Sequence, residues 1–186
     1  MDHFKATGAL MKGHFKLSSG LHSDQYLQCA RVLAHPRRAE ALCRALRDLW
    51  DGPRPSVIVG PAMGGVVLAY EMARAFDVPG IFAERVGGQF VLRRGFSISA
   101  GEKILIAEDV VTTGGSVREL IPVLRGLGAE VVGVQSLVHR GTDEPFDIPF
   151  TPLVSLSLEV WKPEDCPLCA QELPVVKPGS RPEEGC

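Results

Sequence analysis

The feature that most constrains the fold is an alternation of apolar runs with helix-like segments in the middle of the chain. The apolar runs occupy residues 57–59, 103–107, 131–138 and 153–160. Between them, apolar residues recur at helical spacing, beginning with a helix predicted over residues 36–50. Continuous apolar strands separated by helices are typical of a parallel sheet covered on both faces. The sequence therefore predicts an α/β fold.

Two further helices are predicted from their apolar faces. The first has apolar residues at Val66, Ala69, Tyr70, Ala73 and Phe76. The second has them at Val117, Leu120, Ile121, Leu124 and Leu127. Pro122 falls inside the second of these helices, where proline costs about 3 kcal/mol. We therefore expect a kink or a late helix start there.

A glycine pair divides the segment 81–97 into two short apolar stretches. Gly87 and Gly88 are flanked by Phe82 and Val86 on one side and by Phe90 and Leu92 on the other. This pattern predicts a β-hairpin with a glycine turn. A hairpin inserted into a wound sheet has no obvious role in the core. It is either a surface decoration or a mobile lid over a site.

Composition excludes several classes of protein. No stretch approaches the roughly 18 apolar residues of a membrane span, and the N-terminus does not resemble a signal peptide. A formal charge of −2 argues against general nucleic-acid binding. Five cysteines without a regular framework indicate a reducing, cytoplasmic setting. The chain from Leu173 onward is rich in proline, glycine and charge, which predicts a loose surface extension.

The segment that carries the chemistry is ILIAEDVVTTGGSVRE, residues 104–119. It reads as an apolar strand, two acids, a turn of small residues and an amphipathic helix. Ligands of open α/β sheets bind at the carboxyl ends of the strands, and a turn that opens a helix leaves backbone N–H groups free for an anion. The hydroxyls of Thr112, Thr113 and Ser116 add donors. The turn therefore predicts a phosphate site, although the lysine of a Walker loop is missing.

The acids Glu108 and Asp109 at the mouth of this turn do not suit a site for phosphate alone, because carboxylates repel phosphates. They suit a ligand that also presents sugar hydroxyls or a magnesium ion. The structural alternative is a strand that ends in acidic residues and is followed by a capped helix. It would explain the turn, but not the complete sequence of residues 104–119.

The string EDVVTTGGS resembles the phosphoribosyl-diphosphate signature of the type I phosphoribosyltransferases. The resemblance implies that Glu108 and Asp109 are the catalytic acids and hold the ribose hydroxyls, with Mg²⁺ as cofactor held mainly by the substrate. It implies that the phosphoribosyl diphosphate is bound along the rest of the signature, namely by Val110, Val111, Thr112, Thr113, Gly114, Gly115 and Ser116. The stretch GPAMGG, residues 60–65, resembles the family's diphosphate loop and adds Met63 and Gly64.

Two further segments resemble the orotate phosphoribosyltransferases. They are GHFKLSSGLHSDQY at residues 13–26 and HRG at residues 139–141. Orotate carries a carboxylate, which a planar bidentate donor such as Arg140 recognises well. The resemblance assigns Thr112 and Arg140 to orotate, with Tyr26 and Leu27 against its ring. A surface arginine at a strand end is the structural alternative for Arg140.

The chain departs from the orotate pattern in two places. Ser18 stands where many members have a lysine before the Ser-Gly pair. The segment 84–96 has arginines and neither lysine nor histidine where many members have a lysine-rich mobile loop. Arg85, Arg93 and Arg94 are candidates to neutralise the diphosphate, with Arg85 assigned to the substrate; plain surface charge is the alternative.

The resemblance implies one phosphoribosyltransferase domain over residues 1–186, divided into a hood (1–35), a core (36–160) and a tail (161–186). It implies a parallel sheet flanked by helices, with the hood and an inserted hairpin lid. The implied reaction joins orotate to 5-phosphoribosyl 1-diphosphate, and the implied assembly is a homodimer. The alternatives are a purine-type phosphoribosyltransferase, a regulator that keeps the site as a sensor, and a scaffolding protein.

The tail contains Cys166 and Cys169 in a CxxC motif. One CxxC is half a zinc site, and no second Cys/His pair is near it in the sequence. We interpret the two residues as unpaired thiols in a turn. A zinc site shared across subunits, or completed by Cys29 or Cys43, is the alternative.

Overall fold

A computed structural model describes residues 1–17, 19–141 and 143–178 of the chain. Ser18, one of the two departures from the orotate pattern, lies outside the described residues. The chain forms two compact units, the first from residues 1–32 together with the chain from residue 158, and the second from residues 33–157. The division into hood, core and tail within one domain stays a prediction.

The second unit contains the wound sheet. Its elements in chain order are α3 (Pro36–Leu49), β3 (Val57–Pro61), α4 (Gly64–Phe76), β4 (Gly80–Val86), β5 (Gln89–Leu92), β6 (Lys103–Val111), α5 (Gly115–Gly126), β7 (Glu130–His139) and β8 (Phe150–Ser155). The strand order is β5-β4-β3-β6-β7-β8. Only β5 is antiparallel to its neighbour, and the other five strands run parallel. The predicted α/β fold is confirmed.

The first unit is built around a small hairpin. It contains α1 (Asp2–Ala6), β1 (Leu10–Lys16) and β2 (His22–Leu27), and α2 (Cys29–Leu33) follows at the boundary with the second unit. Strands β1 and β2 are antiparallel and form a sheet of their own. The C-terminal part of this unit adds a 3₁₀ turn (Pro163–Asp165) and the short helix α6 (Pro167–Ala170).

The apolar run of β6 is buried on both faces. Ile104, Leu105 and Ile106 are all inaccessible to solvent, although successive side chains of a strand point to opposite sides. A central parallel strand needs apolar residues at every position for this reason.

The buried face of α4 differs from the predicted one. Leu68 and Met72 are fully buried, whereas Tyr70, expected in the core, is 66% exposed. Apolar residues cover more than one face of this helix, so spacing alone does not select the buried face. The tertiary packing of the helix decides which of these faces is buried.

Helix α5 buries four of its five predicted apolar residues, and Leu127 is the exception at 47% exposure. Leu127 follows the last helical residue, where the chain turns away from the core. The helix begins at Gly115, so the expectation of a late start is wrong. Pro122 lies within the helix on its exposed side.

Strand β8 spans residues 150–155 rather than the predicted 153–160. It is an edge strand that pairs only with β7, from the Val134–Phe150 pair to the His139–Ser155 pair. Strand β7 ends at His139, so the later apolar residues have no strand to pair with.

The predicted hairpin is confirmed as β4 and β5, with Gly87 and Gly88 both at positive φ. The expectation that it has no core role is wrong. Strand β4 is also the parallel neighbour of β3, and Phe90 from β5 is buried in the main hydrophobic cluster. Two strands added at the sheet edge bury apolar surface that a separate insertion would leave exposed.

Within residues 1–17, 19–141 and 143–178, no helix has the length and apolar character needed to cross a bilayer.

Candidate active site

The two glycine-containing motifs meet at the carboxyl ends of β3 and β6. Gly64 is the first residue of α4, and a Cβ atom placed on it would lie 2.7 Å from Oδ1 of Asp109. A Cβ atom on Gly65 would lie 2.8 Å from the carbonyl oxygen of Ala107. The absence of side chains at Gly64 and Gly65 therefore lets the start of α4 lie directly against the acids of β6. Met63 precedes this helix and is largely exposed.

Glu108 and Asp109 form a pair of carboxyl groups at the end of β6, with Glu108 buried and Asp109 half-buried. The backbone N–H of Asp109 donates to Oε1 of Glu108 at 3.1 Å, and that of Val110 donates to Oδ1 of Asp109 at 2.9 Å. Burial, followed by the charge of Asp109, raises the pKa of Glu108 to about 9. Burial also raises the pKa of Asp109. Both acids are held where a negative charge is costly unless a ligand compensates it.

This pair predicts a measurable dependence of stability on pH. The folded-state pKa of Glu108 is raised above its ordinary value of 4.5, so the folded protein keeps a proton that the unfolded chain releases. Stability therefore falls as the pH rises from about 4.5 towards 9. We expect Glu108→Gln to raise the Tm of the ligand-free protein near pH 8 by about 2–4 °C, equivalent to on the order of 1 kcal/mol, and to change it little near pH 5.

Scanning calorimetry across this pH range checks the expectation. The exposed acid Glu130 at the start of β7 supplies the matched control, and Glu130→Gln should show no such trend. A Tm difference for Glu108→Gln that does not change with pH would contradict the assignment of a burial-raised pKa.

The predicted phosphate turn joins β6 to α5. Val110 and Val111 lie in the last part of β6, Thr112 and Thr113 form the turn, and Gly115 and Ser116 open the helix. Gly114 is the N-cap residue with φ 77°, and no side chain caps the helix. The first N–H groups of α5 are thus available to an anion.

Gly114 is required for two reasons. Its positive φ disfavours a side chain, and a Cβ atom there would lie 2.6 Å from the ring of Phe146. Arg118, one turn into α5, donates from Nε to the carbonyl oxygen of Pro145 at 2.9 Å. The segment that contains Pro145 and Phe146 therefore packs against the start of α5 and supports the turn.

Thr112 and Arg140, both predicted to bind orotate, are brought together by the pairing of β6 with β7. Val111 pairs with His139, and the backbone N–H of Arg140 donates to the carbonyl oxygen of Val111 at 2.8 Å. A Cβ atom on Gly141 would lie 2.9 Å from the carbonyl oxygen of Thr112. Both residues therefore follow adjacent strand ends beside the acids.

Tyr26 and Leu27, the other residues predicted for orotate, are at the end of β2 in the first unit. The ring of Tyr26 lies 5.8 Å from that of Phe15, and Leu27 is buried. Their role towards a base stays a prediction.

The arginines of the hairpin are held by acids of the same unit. Arg85 donates to Glu119 of α5 at 2.6 Å and to the carbonyl oxygen of Gly88 at 2.8 Å, with its guanidinium over the ring of Phe90. Arg94 forms an ion pair with Glu84 at 2.8 Å, and this partner lowers the pKa of Glu84. A role of Arg85 at the diphosphate would need its pairing with Glu119 to be exchanged for the substrate.

A groove of about 540 Å³ beside α5 is lined by Arg118, Arg125 and Phe146, among others, and by none of the predicted site residues. We therefore define the site by its motifs and not by this groove.

Sequence reasoning missed the surroundings of the CxxC motif. Cys166 and Cys169 lie beside His14 and His22, with the four possible ligand atoms within 4.8 Å of one another. Both cysteines are unpaired thiols, as predicted, but their contact with the two histidines was not predicted, and neither Cys29 nor Cys43 belongs to the cluster. The histidines are more than 140 residues away in the chain, so local spacing carries no signal of this contact.

The phosphoribosyl transferase domain model matches residues 24–169, which include the two glycine motifs and the strand ends described above. The chain therefore belongs to the phosphoribosyltransferase family.

Curated relatives narrow the class. An orotate phosphoribosyltransferase of Carboxydothermus hydrogenoformans is 53% identical over 176 residues, which cover 93% of this chain and 92% of the relative. One of Caldanaerobacter subterraneus subsp. tengcongensis is 48% identical over 182 residues, covering 97% and 96%. Within the family, the chain groups with the orotate phosphoribosyltransferases.

Solved structures agree on the fold. An orotate phosphoribosyltransferase from Aeropyrum pernix matches with a TM-score of 0.72 and 25% identity, covering 83% of this chain and 92% of that one. An adenine phosphoribosyltransferase from Thermoanaerobacter pseudethanolicus matches with a TM-score of 0.63 and 15% identity, covering 71% and 88%. The fold is thus common to enzymes for different bases, and the base must be argued from the site.

Proposed function

We propose that the chain transfers the phosphoribosyl group of 5-phosphoribosyl 1-diphosphate to orotate, giving orotidine 5′-phosphate and diphosphate in pyrimidine (UMP) biosynthesis. The observation that carries the proposal is the meeting of three elements at adjacent strand ends: the Glu108–Asp109 pair, the uncapped start of α5 and Arg140. Relatives named orotate phosphoribosyltransferase have 48–53% sequence identity to the chain over nearly its whole length, which supports the proposal.

The turn from Thr112 to Ser116 suits the 5-phosphate, because backbone N–H groups and hydroxyls surround the start of α5. The neighbouring carboxylates suit the two ribose hydroxyls, which donate hydrogen bonds that a buried acid pair accepts. In this arrangement the phosphate would accept hydrogen bonds from the turn, and the ribose hydroxyls would donate hydrogen bonds to the carboxylates.

The carboxylates also fit a divalent cation. Glu108 and Asp109 supply hard oxygen atoms, which Mg²⁺ prefers, and burial raises the pKa values of both groups, so a bound cation would favour their charged forms. We propose Mg²⁺ as the cofactor, bound mainly through the substrate and next to these acids. When bound, it would neutralise charge on the departing diphosphate.

The residues of the chain contribute positioning and charge. As the bond from C1 of the ribose to the diphosphate breaks, positive charge develops on the sugar, and the carboxylate of Asp109 favours that charge. A ring nitrogen of orotate then attacks from the opposite face. Since that nitrogen is acidic, holding the two substrates in line supplies much of the catalysis without a strong general base.

The choice of orotate over other bases rests on Arg140. Its backbone is fixed by the hydrogen bond to Val111, at a strand end next to Thr112. A guanidinium there presents a planar fork to the carboxylate, which uracil and the purines lack.

The proposal is tested by measuring diphosphate release with orotate, uracil, adenine and hypoxanthine, each with phosphoribosyl diphosphate and Mg²⁺. We expect turnover with orotate to exceed that with each of the other three bases by at least roughly a hundredfold. Turnover of adenine or hypoxanthine without turnover of orotate would refute the proposal and favour the purine-type alternative.

We propose that the hairpin of β4 and β5 works as a lid. Its turn and its arginines extend from the strand next to β3, and the ion pairs Arg85–Glu119 and Arg94–Glu84 are exposed enough to be exchanged for a diphosphate. Hydrogen exchange of residues 85–94 should slow when Mg²⁺, phosphoribosyl diphosphate and a base analogue are bound together. Strand β7, which is buried between β6 and β8, is the internal control. Unchanged exchange in the hairpin would leave the hairpin as a structural edge of the sheet.

We also propose that the protein is a homodimer in the cytoplasm. Met63, Val67 and Tyr70 lie one helical turn apart at the start of α4 and are exposed, and an apolar stripe of this kind suits a second copy of the chain. Cys43, Cys166 and Cys169 are free thiols, as a reducing compartment permits. Sedimentation equilibrium of the wild type and of Tyr70→Glu tests the dimer.

A further inference from the structure

Four side chains with nitrogen or sulfur ligand atoms converge in the first unit. His14 lies in β1, His22 begins β2, and Cys166 and Cys169 flank the start of α6. Their ligand atoms all lie within 4.8 Å of one another. Two imidazoles and two thiols from three separate segments are a donor set that the proposed reaction does not use.

The distances between these atoms are close to those of a tetrahedral zinc site. Zinc–sulfur bonds of about 2.3 Å and zinc–nitrogen bonds of about 2.05 Å place sulfur and nitrogen ligands about 3.6 Å apart. Nε2 of His14 lies 3.5 Å from Sγ of Cys166 and 3.6 Å from Sγ of Cys169. Nδ1 of His22 lies 3.3 Å from Sγ of Cys169.

The two imidazole nitrogens are closer together than this geometry requires. Nε2 of His14 and Nδ1 of His22 are 2.8 Å apart, against about 3.3 Å for two nitrogens on one zinc ion. The difference of about half an ångström can be closed by a small rotation of one imidazole ring. That rotation would open the space in which the ion would sit.

The orientation of His14 is fixed from outside the cluster. Its Nδ1 lies 2.8 Å from the carbonyl oxygen of Leu173, which can only accept a hydrogen bond. Nδ1 therefore carries the proton, and Nε2 directs its lone pair at the two sulfur atoms. A histidine held by a backbone carbonyl in this way is the usual second layer of a metal site.

The chemistry of the set selects the metal. It contains two thiols and two imidazoles and no carboxylate, which favours zinc over Mg²⁺. Four protein ligands fill a tetrahedral shell and leave no position for a substrate, as in structural rather than catalytic sites. His14, His22 and Cys166 are buried, so a bound ion would be shielded from water.

Backbone pairing around the cluster shows what an ion would hold together. The N–H groups of His22 and Trp161 each donate to the carbonyl oxygen of the other residue. On the other side, Val176 donates to His14 and accepts from Lys16. The chain from 158 to 178 thus runs along a two-stranded hairpin, an element that is only marginally stable by itself.

We propose that His14, His22, Cys166 and Cys169 bind one structural zinc ion, which fastens the C-terminal segment to the hairpin of β1 and β2. The sequence predicts a loose extension from Leu173 onward. Up to residue 178, the structure instead has a segment whose backbone is hydrogen-bonded to β1 through Val176. The site is independent of the proposed reaction and of its Mg²⁺.

Metal analysis of the full-length chain, prepared without a polyhistidine tag, tests the proposal. We expect about one zinc ion per chain after purification and dialysis. The double variant Cys166→Ala/Cys169→Ala should retain less than about a tenth of that zinc. Cys43→Ala is the matched control, because Cys43 is a buried thiol outside the cluster, and it should keep the full amount.

Cobalt substitution of the wild type covers the case in which the double variant does not fold. Co²⁺ in this site should give the intense visible absorption of tetrahedral coordination and a thiolate charge-transfer band, and zinc should displace it. Three results would each overturn the proposal: no zinc with no uptake of added zinc, zinc retained in full by a folded double variant, or a Cys166–Cys169 disulfide in its place. Diphosphate release with orotate, measured separately, shows whether the proposed function holds regardless of the outcome here.

Discussion

Replacing Asp109 by asparagine is expected to lower kcat by at least about two orders of magnitude while the protein stays folded. The carboxylate lies at the end of β6 next to Gly64, where a ribose would be bracketed by the two glycine motifs. Asparagine has the same shape, so the tight contact with Gly64 is kept. It cannot supply the negative charge that favours the oxocarbenium-like sugar, so the loss should fall on kcat. Steady-state kinetics with orotate and phosphoribosyl diphosphate at saturating Mg²⁺ measure it.

Folding of this variant should be no obstacle. Burial already raises the pKa of Asp109, so a neutral amide removes an unfavourable charge from the ligand-free protein. The exposed Asp51, in the loop before β3, gives the control Asp51→Asn, which should leave kcat unchanged. Near-normal turnover of folded Asp109→Asn would mean that this acid does not act on the reacting sugar.

Replacing Arg140 by alanine is expected to reduce kcat/KM for orotate by about a hundredfold or more, equivalent to about 3 kcal/mol of transition-state binding. Residual activity with uracil should fall much less, because uracil has no carboxylate to lose. The comparison of the two bases in one variant separates recognition of the carboxylate from damage to the fold, which would affect both bases alike.

Two further variants sharpen this test. Arg140→Lys keeps the charge but loses the planar fork, and we expect its kcat/KM for orotate to lie between those of the wild type and of the alanine variant. Arg125→Ala, on the exposed last turn of α5, is the matched control and should behave like the wild type. Equal losses with orotate and uracil would assign Arg140 to the fold or to the sugar phosphate.

The sequence by itself determined the α/β class and the position of the turn that is predicted to bind phosphate. Both follow from local rules, because a buried parallel strand must be apolar throughout and an anion-binding turn must consist of small residues. The run from Ile104 to Ala107, followed by Glu108 and Asp109, satisfies both rules within a few residues. The glycine pair at 87–88 determined the hairpin in the same way, since positive φ at both positions favours glycine.

Only the tertiary structure decided which of several apolar faces is buried and which distant residues meet. Leu68 and Tyr70 are both apolar positions of α4, and the packing of the helix buries Leu68 and leaves Tyr70 exposed. His14 and Cys166 are 152 positions apart, yet their ligand atoms are 3.5 Å apart. Spacing along the chain records the period of a helix or strand but not the packing of remote segments, so a metal site assembled from three segments leaves no local pattern to find.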